Sequence, residues 1–132
     1  MRDIPVGATG SFALTVAPQH LAIQFKDAIL PPVLATPMMI LMMEQAAMSA
    51  IVPYLDAGET SVGMLVNVEH LAATPIAHAV RAEAEVMKVD GRRIEFRVAA
   101  FDEQEQIGRG THRRAVVELA KFKQRVQAKL KP

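Results

Sequence analysis

The apolar positions of the chain predict one long helix in its first half. Thr36-Pro37 is a helix-start signal, because threonine can cap free backbone N–H groups and proline is favoured in the first helical turn. The helix then continues through an apolar stretch and is expected to end near Pro53. Since its side chains are apolar almost all round, we expect other elements to cover the helix on most sides.

The remaining segments alternate apolar and polar positions, as β-strands do. In the clearest of them Val80, Ala82 and Ala84 alternate with charged residues. Asp90-Gly91 is a strong signal for a hairpin turn between two strands. The predicted strands cover residues 11–16, 61–70, 77–89, 92–101 and 106–119, and the tail from Lys121 is predicted to form a short helix.

The order of these elements indicates the fold class. One strand and a loop precede the helix, and four strands joined mostly by short turns follow it, which is typical of an α+β arrangement with an antiparallel sheet. A sheet curled around one central helix is the hotdog fold. The sequence therefore predicts a single hotdog domain over residues 1–132, with a basic C-terminal tail at 121–132.

Composition narrows the partners that the chain can have. Of the 132 residues 51% are hydrophobic, which indicates a second buried surface and hence a homodimer. The net charge of +1 does not suggest a nucleic-acid partner, because such proteins carry a basic patch or stripe. With no cysteine, a thiolate nucleophile, a disulfide and a cysteine metal site are all excluded.

No targeting or membrane segment is visible in the sequence. Residues 1–5 do not form the apolar core of a signal peptide. The longest apolar stretch is interrupted by Glu44 and Gln45 and falls short of the roughly 20 residues that a membrane span needs. We therefore expect a cytoplasmic protein without a membrane partner.

Glu44 is the most informative single residue. It lies in the middle of the predicted helix, after seven consecutive apolar residues. Burying an unpaired carboxylate is costly, so Glu44 either lies on an exposed stripe with Gln45 or Ser49, or pairs with an arginine. Alternatively, it lines a pocket as a general base or a nucleophile. The residue pattern leaves these readings open.

Thr36 and His70 are further candidates, each with a structural alternative. Thr36 can be a helix cap alone, and a lone histidine such as His70 is more often structural than catalytic. Thr36 and Glu44 are separated by about 12 Å of helix rise, too far for a direct hydrogen bond. A site that uses both would be shared between two subunits. No spacing of histidines and carboxylates suggests a metal site.

The last predicted strand contains two glycines and three arginines between Gly108 and Arg114. Glycines permit a bulge or a close backbone approach, and arginines suit phosphate groups. The arginines Arg109, Arg113 and Arg114 could hold a small phosphorylated ligand, although a charged surface strand has the same appearance. No dinucleotide fingerprint, P-loop or nucleophile elbow is present.

Several short motifs together resemble the fluoroacetyl-CoA thioesterase family of hotdog proteins, over residues 6–122. The order and spacing of these motifs make the resemblance specific. The matching stretches are Ala35-Thr36, Met43-Glu44, Pro53-Tyr54-Leu55, Gly58-Glu59, Ser61-Val62-Gly63, His70, Ala72-Ala73-Thr74-Pro75, Gly91-Arg92-Arg93 and Gly110-Thr111-His112.

The resemblance implies a function and a set of site residues. The family's catalytic threonine, glutamate and histidine fall on Thr36, Glu44 and His70. Its glycine near the thioester carbonyl falls on Gly63, and an arginine associated with substrate binding falls on Arg114. The implied protein is a homodimeric hydrolase of a small acyl-CoA, with CoA present as part of the substrate and no cofactor or metal. The alternatives are a hotdog hydratase or dehydratase, whose expected acid motif is missing, and a non-catalytic acyl-CoA-binding module.

The segment before the helix departs from the family pattern. Fluoroacetyl-selective members carry phenylalanines in this lid segment, whereas Asp27, Leu30 and Leu34 occupy the aromatic positions here. Thr36 is also followed by Pro37 rather than by glycine. The sequence therefore predicts thioester hydrolysis with little or no preference for a fluorinated acyl group.

Overall fold

A computed structural model describes residues 1–22 and 29–130 of the chain. Its helices are α1 (Thr36–Ile51) and α2 (Leu119–Ala128), and its strands are β1 (Thr9–Thr15), β2 (Glu59–His70), β3 (Ala79–Asp90), β4 (Arg93–Phe101) and β5 (Gln106–Glu118). Short 3-10 turns occupy Pro18–His20 and Val52–Tyr54. The predicted order of elements is confirmed, and the predicted strand ends differ from the observed ones by about two residues or fewer.

The five strands form one antiparallel sheet in the order β1-β3-β4-β5-β2. Strands β3, β4 and β5 are sequential neighbours, and the predicted hairpin turn joins β3 to β4. Gly91 in this turn has a φ of 61°, a conformation that glycine adopts without steric cost. Within the described residues β2 pairs with β5 and with no other strand, so β1 and β2 are the two edges of the sheet.

The core lies between α1 and the inner face of the sheet. Met39, Met42 and Met43 of α1 are buried there against sheet residues such as Phe96 and Ile107. The expectation that the sheet covers the helix on most sides is only partly met, because Leu41 and Gln45 of α1 remain exposed in the single chain. The uncovered side of the helix is apolar at Leu41, which is consistent with a second buried surface.

Glycines in β5 allow a close approach, as their spacing predicted. A side-chain carbon on Gly108 would lie 2.5 Å from the Met39 sulfur, and one on Gly110 would lie 2.1 Å from the Asn67 carbonyl oxygen. The pairing of β4 with β5 also skips Ile107, so a bulge lies directly beside Gly108. Because these two glycines have no side chain, β5 packs closely against both α1 and β2.

Helix α2 continues directly from β5 and is exposed along most of its length, apart from the half-buried Phe122. It agrees with the short basic helix predicted for the tail, although it begins at Leu119. Within the two described ranges, no helix has the length and apolar character that a membrane crossing requires.

Candidate active site

A bulge in β2 turns two residues that are an odd number of positions apart, Gly63 and His70, toward the same helix, α1. Gly63 and His70 are seven residues apart and would point to opposite faces of a regular strand. The pairing with β5 passes from Gly63 to Leu65, however, and leaves Met64 as an extra residue. A side-chain carbon on Gly63 would lie 2.8 Å from Glu44, and His70 contacts Thr36. Both ends of β2 therefore meet α1 because of the bulge.

The first group of polar residues surrounds Glu44. We call it the Glu44 cluster, and it consists of Glu44, Ser61, Gly63, His112 and Arg114. The Arg114 Nη1 atom donates a hydrogen bond of 3.1 Å to Glu44 Oε2. The Glu44 side chain is 34% exposed and the Arg114 side chain 10%. Glu44 is thus a half-buried carboxylate with an arginine partner and one oxygen free of that partner.

Arg114 is held in place by Ser61. Its Nε atom donates to Ser61 Oγ at 2.7 Å and its Nη2 atom to the Ser61 carbonyl oxygen at 3.0 Å. The guanidinium group is therefore anchored on the inner face of the sheet, directly beside Glu44. A contact between Arg114 and substrate, which the family resemblance implies, stays a prediction.

The three arginines of β5 do not form one phosphate-binding cluster, so that sequence expectation is wrong. Arg109 lies 3.8 Å from Glu69, and Arg113 donates to Glu95 at 3.1 Å, both on the outer face of the sheet. Arg114 lies on the inner face, because successive residues of a strand point to opposite sides.

His112 is the site residue that sequence reasoning missed. It is 2% exposed, and its ring stacks on Phe96 with the ring centroids 6.0 Å apart. Its Nδ1 atom lies 2.8 Å from the Leu65 carbonyl oxygen, and its Nε2 atom lies 3.3 Å from Arg114 Nη1. Burial lowers the pKa of His112, so the ring is neutral at physiological pH. The signals in the sequence were its place in the Gly110-Thr111-His112 motif and its even spacing from Arg114 on the same strand.

The second polar group is the pair of Thr36 and His70. The Thr36 Oγ1 atom lies 2.7 Å from His70 Nδ1. Ala35, with extended backbone angles, is the residue that caps α1, and no side chain in the described part of the chain donates or accepts a capping hydrogen bond there. The expectation that Thr36 is the cap is therefore wrong. Thr36 is the first helical residue, and its hydroxyl group reaches across to the end of β2.

A shallow surface cavity of about 410 Å³ borders the Thr36–His70 pair. Pro31, Val33 and Leu34 form part of its wall, so the segment before α1 closes one side of it. The His70 Nε2 atom is buried and makes no hydrogen bond within the described part of the chain. Burial lowers the pKa of His70, which keeps its ring neutral near pH 7.

Within one chain, the structure does not bring the two polar groups together. Thr36 and Glu44 are separated by about 12 Å along α1, and Gly63 and His70 by about 20 Å along β2. Residues 1–22 and 29–130 contain no group of three or more histidine, aspartate or glutamate side chains that could hold a metal ion. Each chain thus carries two separated halves of a possible site.

Comparison with known proteins supports one family. The sequence model of the fluoroacetyl-CoA-specific thioesterases matches residues 16–120. The fluoroacetyl-CoA thioesterase of Streptantibioticus cattleyicolor is 46% identical over 99 residues, which cover 75% of this chain and 71% of that protein.

Solved structures show the same architecture. A structure of the fluoroacetyl-CoA thioesterase FlK matches with a TM-score of 0.92 and 38% identity, over 98% of this chain and 99% of that one. A hot-dog-like protein from Thermanaerovibrio acidaminovorans matches with a TM-score of 0.87 and 24% identity, over 98% and 95% of the two chains, and shares the fold alone.

Proposed function

The chain belongs to the family of fluoroacetyl-CoA-specific thioesterases and is an acyl-CoA thioesterase with the hotdog fold, and from this premise we propose that it hydrolyses its substrate through Thr36, Glu44 and His70. The observation that carries the proposal is the Glu44 carboxylate, of which Arg114 engages one oxygen beside the side-chain-free backbone of Gly63.

The proposed site is shared between two subunits of a homodimer. Met64, Leu65 and Val66 expose 47%, 39% and 42% of their surface on β2, an edge strand with no partner on one side among residues 1–22 and 29–130. Unprotected apolar edges invite pairing with a second strand. A two-fold axis near Val66 would pair β2 with its own copy in the antiparallel sense.

Such pairing would also complete the site. In an antiparallel pair centred on Val66, the bulged Met64 would have no partner, so the position opposite His70 would be Ser61, on the same face of the sheet, with Gly63 two residues away. His70 and Thr36 of one subunit would therefore lie beside the Glu44 cluster of the other. Two equivalent sites would form, one on each side of the axis.

In the proposed reaction Glu44 acts through the oxygen that Arg114 does not engage. This oxygen either attacks the thioester carbonyl carbon to give an enzyme-bound anhydride or takes a proton from a water molecule that attacks instead. In both routes the carbon–sulfur bond breaks, CoA leaves as the thiol, and one water molecule is consumed. Arg114 stabilises the carboxylate but exchanges no proton.

Gly63 and His70 are proposed to stabilise the charges that develop. The backbone N–H of Gly63 would donate to the carbonyl oxygen as it becomes negative, at a position where a side chain would collide with Glu44. When Thr36 donates its hydroxyl proton to His70 Nδ1, the histidine carries its own proton on Nε2. That N–H group can donate a hydrogen bond to the departing sulfur of CoA, and the water molecule consumed in the reaction supplies the proton of the thiol product.

The segment before α1 supports a proposal about the acyl group. Leu34 is buried and lines the cavity, and Leu30 is half-buried. Because both are leucines, neither provides an aromatic ring, and Asp27 lies outside the described residues. We propose a short or medium acyl chain, or an aryl-acyl group, as the substrate rather than a fluorinated acetyl group. CoA enters as part of the substrate, and the cytoplasmic location stays a prediction from the sequence.

Release of free CoA from a panel of acyl-CoAs tests the proposed function. The chain contains no cysteine, so a thiol reagent reports the CoA product without background from the protein. A hydratase would change the acyl chain but release no thiol. A binding module would leave the acyl chain unchanged and would also release no thiol. Repeated turnover with at least one short, medium or aryl acyl-CoA is expected. Absence of thiol release from every member of the panel would contradict the proposal.

A further inference from the structure

Every nitrogen of the Arg114 guanidinium group has a partner. Its Nε and Nη2 atoms donate to the hydroxyl and the carbonyl oxygen of Ser61. Its Nη1 atom donates to Glu44 Oε2 at 3.1 Å and lies 3.3 Å from His112 Nε2. The group is planar and its donors form a rigid fork, so these contacts fix both its position and its rotation.

The contacts of His112 define its tautomer. A carbonyl oxygen can only accept, so the 2.8 Å contact with Leu65 places a proton on His112 Nδ1. The Nε2 atom of the neutral ring then carries a lone pair, which accepts from Arg114 Nη1. The opposite tautomer would place a lone pair against the Leu65 carbonyl oxygen and a proton against the guanidinium group.

This arrangement matters because arginine and carboxylate groups favour a bidentate pair. Such a pair would engage both oxygens of Glu44 and leave neither free for a substrate or water. Here Ser61 occupies two of the guanidinium nitrogens and His112 shares the third. Glu44 consequently receives a single hydrogen bond from Arg114, at Oε2.

We infer that His112 and Ser61 are positioning residues that hold Arg114 in a one-point contact with Glu44 and thereby keep the second carboxylate oxygen available for the reaction. This inference rests on the proposed function, in which Glu44 is the reacting group. The residues touch neither acyl group nor CoA in this account, and they act through Arg114 alone. Because Leu65 directly follows the bulged Met64, the His112 hydrogen bond also ties the bulge to the site.

Substitutions of His112 separate positioning from packing. His112→Phe keeps an aromatic ring against Phe96 but removes the acceptor for Arg114, and kcat should fall by about tenfold or more while KM changes by less than about threefold. His112→Gln replaces Nε2 with an amide oxygen that can accept, and it should recover most of the lost rate. Ser61→Ala should resemble His112→Phe. Arg113→Gln, on the outer face of the same strand, is the matched control and should leave kcat unchanged.

Nitrogen NMR of the wild-type imidazole gives a readout that does not depend on activity. The inference requires the Nδ1–H tautomer of His112 at neutral pH. An Nε2–H tautomer, or full kcat in folded His112→Phe, would overturn it. Should His112→Phe fail to fold, Ser61→Ala and the tautomer decide the question. Absence of thiol release from the wild-type protein would instead contradict the proposed function. A failure of the proposed function is therefore distinguishable from a failure of the positioning role of His112 and Ser61.

Discussion

At the scale of single residues, the Glu44–Arg114 contact is the feature with the most direct chemical consequence. Replacing Glu44 with Gln keeps an oxygen that can accept from Arg114 but removes the carboxylate. We therefore expect the fold to persist and thiol release to fall by about a hundredfold or more. Glu95→Gln, which alters a carboxylate on the outer face of the sheet, should leave the rate unchanged. A loss of less than about tenfold in rate, or about 1.4 kcal/mol of activation barrier, would contradict the catalytic role of Glu44.

The Thr36 hydroxyl contacts His70 rather than capping α1, which makes Thr36 a clean position for substitution. Thr36→Val preserves the shape of the side chain and removes no helix cap, so it should melt near the wild-type temperature but lose most activity. Thr36→Ser should remain close to wild type. The loss in Thr36→Val should be smaller than in Glu44→Gln, and the two losses should not add, because the proposed mechanism uses the two residues as a unit. Equal rates for both Thr36 variants would remove Thr36 from the mechanism.

The family resemblance supplied Thr36, Glu44 and His70 as candidate site residues, and their catalytic roles stay predictions. The roles of Ser61 and His112 could not be predicted from the sequence. Both depend on which face of the sheet a side chain occupies, and the bulge at Met64 changes that face within β2. Their motifs and spacing do not show that Ser61 and His112 both contact Arg114, because those contacts form only when β2 pairs with β5.

At the scale of elements, apolar periodicity predicted the helix and all five strands, because alternation and helical spacing are local properties. The bulges were harder to predict from the sequence. Only the glycines of β5 gave a local signal of a bulge, and Met64 gave none. The start of α1 was misassigned by one residue, because threonine and proline are compatible with both the cap and the first turn. Element ends of this kind depend on tertiary contacts such as that between Thr36 and His70.

The edge strand β2 is the element on which the proposed dimer depends. Val66→Lys would place two like charges opposite each other across the proposed two-fold axis, which is unfavourable for strand pairing. We expect this variant to be monomeric by light scattering and to lose thiol release. Val6→Lys, at an exposed position outside the sheet, should affect neither property. A Val66→Lys dimer with wild-type activity would contradict pairing through β2.

At the scale of the whole molecule, the predicted α+β hotdog architecture is confirmed by the fold and by the matching structures. The predicted burial of α1 on most sides is only partly met in one chain, because Leu41 and Gln45 are left uncovered. A sequence pattern reports which side chains are apolar, but not whether the same chain or a second copy covers them.

Selectivity for the acyl group belongs to the whole molecule, since it depends on the segment before α1 as well as on the site. An apolar pocket distinguishes even a methylene group by only about 1–3 kcal/mol, and fluorine and hydrogen differ less in size. With leucines at two aromatic positions of the family, we expect kcat/KM for fluoroacetyl-CoA to be close to that for acetyl-CoA. Longer or aryl acyl-CoAs should be better substrates. A preference of about 10⁴-fold for the fluorinated substrate, about 5.5 kcal/mol, would contradict this expectation.

In the proposed homodimer each catalytic site combines Glu44 of one subunit with Thr36 and His70 of the other. Complementation between two inactive variants tests it most directly. One variant carries Glu44→Gln, and the other carries Thr36→Val together with His70→Ala. In a mixed dimer the shared-site arrangement places all the changes in one site and leaves the second site intact.

Equal amounts of the two variants, allowed to exchange subunits, should therefore recover about a quarter of the wild-type rate of thiol release per subunit, since half of the dimers are mixed and each has one intact site. Each variant alone should stay inactive. Native mass spectrometry would show whether the mixed dimers form. If they form and thiol release remains absent, each site is built within one chain and the shared-site proposal is wrong.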